Sequence, residues 1–262
     1  MTVSDLPVLM YHSVASVPGS LHDLGVNPES LGEHLSALTD AGYALVGLTE
    51  AVNLRLSGDK SRLAALTFDD GYETFAAALP QLAALGARAT LYICPRFVGG
   101  FADWLGRYSH VMGPLMDWAG LREVSCYGVE IGNHSFDHIP LDILPTSELM
   151  QQLQQSGEAI TENLGQYPQS FCYPHGYQSA RTRKAVSGVG YKNACVIGHR
   201  VADLADVFSI TRLMVLPGYS GARLVQLLSA RRSWKSKARA AAYPPWRIAR
   251  QAGYRYMGRV YT

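Results

Sequence analysis

Two pairs of residues in this chain have types and spacing that suit metal-assisted hydrolysis. Asp69 and Asp70 stand side by side at the end of an apolar run, in Leu66-Thr67-Phe68-Asp69-Asp70-Gly71-Tyr72. His134 and His138 follow a second run, in Gly132-Asn133-His134-Ser135-Phe136-Asp137-His138. Histidines at i and i+4 can meet on one helical face and offer two imidazoles to one ion. Each motif has a plainer reading, since Asp-Gly is a common turn pair and a His pair of this spacing can simply be satisfied by its neighbours. Taken together they supply two imidazoles, one carboxylate ligand and a spare carboxylate. Such a set leaves positions open on a divalent ion for water and substrate, with the spare carboxylate free to act as base. A third segment, Phe171-Cys172-Tyr173-Pro174-His175-Gly176, joins a φ-locked proline to a permissive glycine. A backbone N–H in such a turn can serve an oxyanion.

These motifs need elements that place them together. Short apolar runs predict strands over 7–11, 43–48, 64–68, 89–93, 130–132, 170–173, 193–197 and 208–214. Helical patterns lie between them, near 28–41, 73–86, 146–164 (with Thr146 as its cap), 179–188 and 221–232. This alternation predicts an α/β fold, a distorted (β/α) barrel of mainly parallel strands. In such folds the site lies where strands end and loops begin, and all three motifs pass that test. Residues 94–128, with Gly99-Gly100, Trp104 and Trp118, read as a long loop insertion, either walling the site or forming a surface excursion with its own small core.

At these residues the chain resembles the polysaccharide deacetylase family, carbohydrate esterase family four. Thr67-Phe68-Asp69-Asp70-Gly71 is similar to its first motif, His134-Ser135-Phe136-Asp137-His138 to its second, and residues 171–176 to its third. The resemblance spans most of 7–216. It implies Asp69 as base, Asp70, His134 and His138 as ligands of a divalent metal ion, zinc, and the His175 N–H as an oxyanion donor. Two features depart from the family pattern. Cys172 stands where an arginine usually orients the base, although a minority branch carries a small residue there. The later Leu-x-His that usually supplies the general acid is also missing, and the corresponding stretch reads Ile210-Thr211-Arg212-Leu213-Met214. His12, just after the first strand, is the candidate acid, with His199 and the His175 side chain as weaker candidates. Arg212 is the candidate to orient Asp69. His22, His34 and His110 read as surface residues.

The implied reaction is hydrolysis of a linear amide C–N bond in an N-acetylated amino-sugar glycan. The metal polarises the carbonyl and lowers the pKa of its water from ~16 towards ~7. Rival readings are removal of a formyl or other small amide, and a silent glycan-binding module.

The 262 residues, 48% of them hydrophobic, suffice for one large domain. No leader segment or membrane-spanning run is evident, and the scattered cysteines Cys94, Cys126, Cys172 and Cys195 read as small buried hydrophobes in a reducing compartment. The net charge of +2 conceals an asymmetry, −9 over residues 1–206 and +11 over 207–262, where no acid occurs. We therefore divide the chain into a catalytic domain, 1–220, and a basic helical tail, 221–262. Aromatic residues among arginines suit an anionic bilayer surface, with each basic residue worth ~1 kcal/mol there. The alternatives are a tail packed on its own acidic domain and, less favoured, nucleic acid. The expectation is a cytoplasmic enzyme, peripheral at the inner membrane face, acting on a lipid-linked glycan in exopolysaccharide or envelope assembly.

Overall fold

The computed structural model describes residues 5–198, 201–229, 250, 251 and 254. Its elements in chain order are β1 (Asp5–Leu6), β2 (Val8–Tyr11), α1 (Pro28–Asp40), β3 (Ala44–Val46), α2 (Leu48–Leu56), β4 (Leu63–Phe68), α3 (Leu79–Ala84), β5 (Thr90–Ile93), α4 (Trp118–Cys126), β6 (Glu130–Asn133), α5 (Thr146–Leu164), β7 (Ser170–Cys172), α6 (Ala180–Gly188), β8 (Asn193–Gly198), β9 (Ala202–Asp203), β10 (Ile210–Met214) and α7 (Gly221–Ser229). Seven parallel strands close into a barrel in the order β2-β10-β8-β7-β6-β5-β4, with β4 returning to β2. The third strand joins from outside, pairing with the first half of β4, while β5 pairs with the second half.

Strand periodicity explains the closure. Leu9, Tyr11, Leu66, Phe68, Leu91 and Ile93 alternate outward and pack with Leu31, Leu35 and Leu38 of α1 and Leu224 and Leu228 of α7. Val8, Leu63, Ala65, Tyr92, Cys172, Cys195 and Ile210 alternate inward and fill the barrel. A third cluster, around Leu149, Leu153, Phe171, Tyr173, Tyr191 and Val196, seats α5 and α6.

Several local expectations are corrected. Leu48 opens a helix instead of ending a strand, because the Leu48 N–H donates to Thr90 Oγ1 at 2.7 Å and the Glu130 carboxylate accepts from Thr49 N at 3.2 Å. The segment 73–86 is a 3₁₀ stretch, Glu73–Ala78, followed by the short α3. Pro80 near the start of α3 has no N–H to continue an α-helix from the preceding turn. Pro145, not Thr146, occupies the cap position of α5 and makes no side-chain cap bond. Residues 94–128 are not simply a loop. They hold 3₁₀ turns and α4, which Asp117 caps by accepting from Gly120 N at 2.7 Å. Around Ala102, Met112 and Leu115 they build a satellite core with Val17 and Tyr72. A small antiparallel pair, β1 with β9, was also unforeseen. Cys126 is exposed, unlike the other three cysteines. Among the described residues no helix is long and apolar enough to cross a membrane.

Candidate active site

The three motifs meet at the C-terminal mouth of the barrel. Asp69 and Asp70 follow β4, His134 follows β6, His175 follows β7 and His12 follows β2. A strand would splay Asp69 and Asp70 to opposite faces. The chain avoids this by placing Asp70 in the left-handed region (φ 74°) and Gly71 after it (φ 80°). A Cβ at Gly71 would lie 2.9 Å from Ile93 Cγ2, so the turn needs glycine. Residues 134–138 form a turn and not a helix: Ser135 (φ 67°) and His138 (φ 62°) are left-handed. The two imidazoles therefore converge through a kink instead of through helical spacing. The third motif turns at His175 (φ 56°) and Gly176 (φ 72°), where a Cβ would approach Ile197 N to 2.8 Å. Four non-glycine residues with positive φ, all in these motifs, cost about 1–3 kcal/mol each.

Asp69 is buried and held at both oxygens by Arg212, Nη1 to Oδ1 at 2.6 Å and Nη2 to Oδ2 at 2.7 Å. Arg212 itself is fully buried, donates to Thr67 Oγ1 at 3.0 Å, and lies 3.1 Å from Cys172 Sγ. The fork comes from the inward face of β10, which β2 separates from β4 and Asp69. Burial by itself would raise the Asp69 carboxyl, but the Arg212 charge and hydrogen bonds outweigh it and hold the group at about 2. His12 Nε2 stands 4.0 Å from Asp69 Oδ2, and burial lowers its pKa to about 4 despite that carboxylate.

Beside this pair, Asp70 Oδ1 lies 3.7 Å from His134 Nε2 and 3.5 Å from His138 Nε2. All three side chains are buried, and Asp70 Oδ1 has no hydrogen-bond partner among the described residues. Burial and the neighbouring Asp69 push the Asp70 carboxyl up to about 8. His134 Nδ1 lies 2.8 Å from the Cys172 carbonyl and can donate to it, which leaves Nε2 as the lone-pair donor. A divalent cation fits this set: one orphaned carboxylate oxygen and two imidazole nitrogens converge within 4.8 Å of one another. His138 is set differently. Its Nδ1 has no hydrogen-bond partner among the described residues, and rings pack around it: Trp104 stacks on it at 4.4 Å, with His134 and His175 edge-on at 4.8 and 4.6 Å.

Of the other histidines, His34 is buried and not on the surface, bonded at 2.6 Å to the Tyr219 carbonyl. His22 and His110 are exposed, and His199 lies outside the described residues. Trp104 sets the insertion against the site, as one of its two readings has it, by stacking on His138. Sequence reasoning missed another contributor to the rim. Arg250, fully buried, forks onto Asp142 (Nη2 to Oδ2 2.7 Å), with nothing local to announce it.

The model of one family, Polysaccharide deacetylase, matches residues 57–194, slightly more than half of the chain. The chain belongs to the polysaccharide deacetylase family. Among relatives of this family, YxkH of Bacillus subtilis, whose own name places it there provisionally, is 28% identical over 221 residues, covering 82% of this chain and 73% of that protein. Two solved structures share the fold. A Streptococcus pyogenes deacetylase, PplD in complex with acetate, has a TM-score of 0.74 at 22% identity over 86% of this chain and 99% of its own. IcaB from Ammonifex degensii has a TM-score of 0.72 at 21% identity over 87% and 98%. The described barrel is thus a polysaccharide deacetylase barrel, and the matched segment contains Asp69, Asp70, His134, His138 and His175, but neither His12 nor Arg212.

Proposed function

We propose that the chain hydrolyses the acetamide of an N-acetylated amino-sugar glycan, with Asp70, His134 and His138 holding a divalent cation, zinc. One observation carries the reading. An arginine-anchored carboxylate and a buried donor triple with an orphaned oxygen share one barrel mouth. When bound, the cation supplies Lewis acidity to the amide carbonyl and to water.

Asp69 is the base. Arg212 keeps it ionised and fixes its direction, so it can take the proton of the attacking water without rotating away. With Asp69 held near 2 and His12 near 4, a proton shared by the pair rests on His12. From His12 it passes to the sugar nitrogen as the C–N bond breaks, since an amine leaves poorly unless protonated. The left-handed turn at His175 presents its N–H to the oxyanion. Cys172 does not orient the base here. That work falls to Arg212, so loss of the usual arginine need not silence the site.

The deciding measurement is acetate release from N-acetylated glycans and lipid-linked amino sugars, made alongside metal content. Formate release would shift the substrate class. Cation binding with no product from any amide would leave a glycan-binding module.

We further propose that the basic run after residue 206 brings the enzyme to an anionic inner-membrane surface, where a lipid-linked exopolysaccharide or envelope intermediate is presented. Beyond the buried Arg212, ten Lys and Arg residues without one acid support it. Arg250 is already taken by Asp142, and Tyr254 donates to Glu148 at 2.8 Å, so part of the tail rests on the body. The other tail residues, 230–249, 252–253 and 255–262, lie outside the described residues. Flotation with anionic liposomes tests the idea: full-length chain should float at low salt and not at high salt, and a chain ending at Ser229 should not float at all.

A further inference from the structure

The left-handed residues His138 and His175 stand on two separate loops, and strained backbone persists only where its surroundings hold it. Within each loop short-range bonds hold the backbone, His138 N donating to Ser135 Oγ at 3.0 Å and Gly176 N to the Tyr173 carbonyl at 2.9 Å, but none of these joins one loop to the other, and between them the His138 and His175 rings meet edge-on at 4.6 Å. One side chain from far along the chain touches both loops. Arg250 is fully buried and grips Asp142, four residues beyond His138, through Nη1 to Oδ1 at 3.2 Å and Nη2 to Oδ2 at 2.7 Å. Its guanidinium carbon also lies 3.6 Å from the centre of the Tyr177 ring, two residues beyond His175. Gln251 fastens the same segment, donating to the Asp142 carbonyl at 2.9 Å, and Tyr254 anchors it on Glu148 of α5. A fork on a carboxylate together with a flat face on an aromatic ring is a contact only arginine makes well.

We propose that Arg250 is a positioning residue which bolts the loop carrying His138 to the turn carrying His175, so that the docked C-terminal segment completes the cation site. The inference rests on the assignment of His138 as a cation ligand given above. It also makes Arg250, with Gln251 and Tyr254 beside it, part of the support of the active site.

The test uses full-length Arg250→Met, Arg250→Lys and, as a control on α7, the exposed Arg223→Met. Hydrogen exchange of the metal-free protein and zinc affinity by chelator competition are both measured. Arg250→Met should speed exchange in 134–142 and in 174–178 together and weaken zinc binding by about 10-fold or more, within the range for groups that orient metal ligands. Arg250→Lys keeps the charge, loses the fork and should fall between Met and wild type; it also decides the matter if Arg250→Met does not fold. Arg223→Met should change neither. Faster exchange in only one loop, or zinc affinity within twofold of wild type in both Arg250 variants, would overturn the proposal. Acetate release plays no part in these readouts. A chain that binds zinc normally but releases no acetate refutes the proposed reaction and leaves the bolt standing.

Discussion

Two polar clusters, one at each end of the barrel, are built differently. At the end away from the catalytic mouth, Glu130 accepts from Thr49 N, Thr49 Oγ1 and Thr90 Oγ1. Asn193 Nδ2 donates to Thr49 Oγ1 at 2.9 Å, Ser170 donates to Asn193 Oδ1 at 2.6 Å, and Tyr92 meets Ser170 at 2.5 Å. That chain ties the start of α2 to four strands and contains no residue of positive φ. At the catalytic mouth Arg212 forks onto both oxygens of Asp69, yet Arg212 Nε, Asp70 Oδ1 and His138 Nδ1 find no hydrogen-bond partner among the described residues, and the backbone is left-handed at four non-glycine positions. Buried polar groups without partners are costly. A fold that spends stability at one end and satisfies every comparable group at the other marks which end awaits a ligand.

The strongest way to break this contrast is to remove the unsatisfied groups. His134→Ala or Asp70→Ala should lose the bound cation and nearly all activity. Asp69→Asn should keep the cation, read by metal analysis, and lose turnover. A rate close to wild type in Asp69→Asn would return that residue to a structural role. Next in size is His12→Ala, which should lower kcat by about 10²–10⁴ with metal content unchanged. Unchanged kcat would move the acid elsewhere, His175 being the nearest alternative.

Titration sharpens the contrast further. In metal-free protein, burial lowers the pKa of His134 and His138, and lowers His12 and His175 to about 4. Below the ordinary histidine value of 6.5 the unfolded chain then binds more protons than the folded one, so stability falls as acid is added. Asp70 has the opposite sign. Raised from 3.8 to about 8, it stabilises below its unfolded value, and that contribution is lost as pH rises through 8. Urea midpoints of the metal-free protein should therefore peak near pH 6.5, the ordinary histidine value. Zinc should abolish the decline above it, because a bound cation keeps Asp70 ionised. A flat profile from 5 to 8 would mean the site is less buried than described. The smallest effect belongs to the other cluster. Glu130→Gln should cost about 1–3 kcal/mol of stability and leave kcat within twofold, since that network is structural. A large loss of kcat with unchanged stability would erase the distinction between the two ends.

The sequence alone determined the chemistry-bearing motifs and the class of fold. Alternating apolar runs announce strands and helices, and Asp69-Asp70-Gly71 and His134 to His138 fall at strand ends, because both signals are local along the chain. Even there the spacing of His134 and His138 left a helix or a turn open, and the structure takes the turn: Asn133 ends a barrel strand and the two imidazoles meet through two left-handed residues. The Asp69–Arg212 fork, the burial of His34 against Tyr219 and the grip of Arg250 on Asp142 were decided by tertiary structure. Strand periodicity puts residue 212 on one face or the other, but only barrel closure turns that face towards Asp69. Arg250 lies 108 positions from its partner, in a run whose composition reads as a solvated basic arm. A charge pattern records how many arginines a segment carries, and folding decides which of them finds a buried carboxylate.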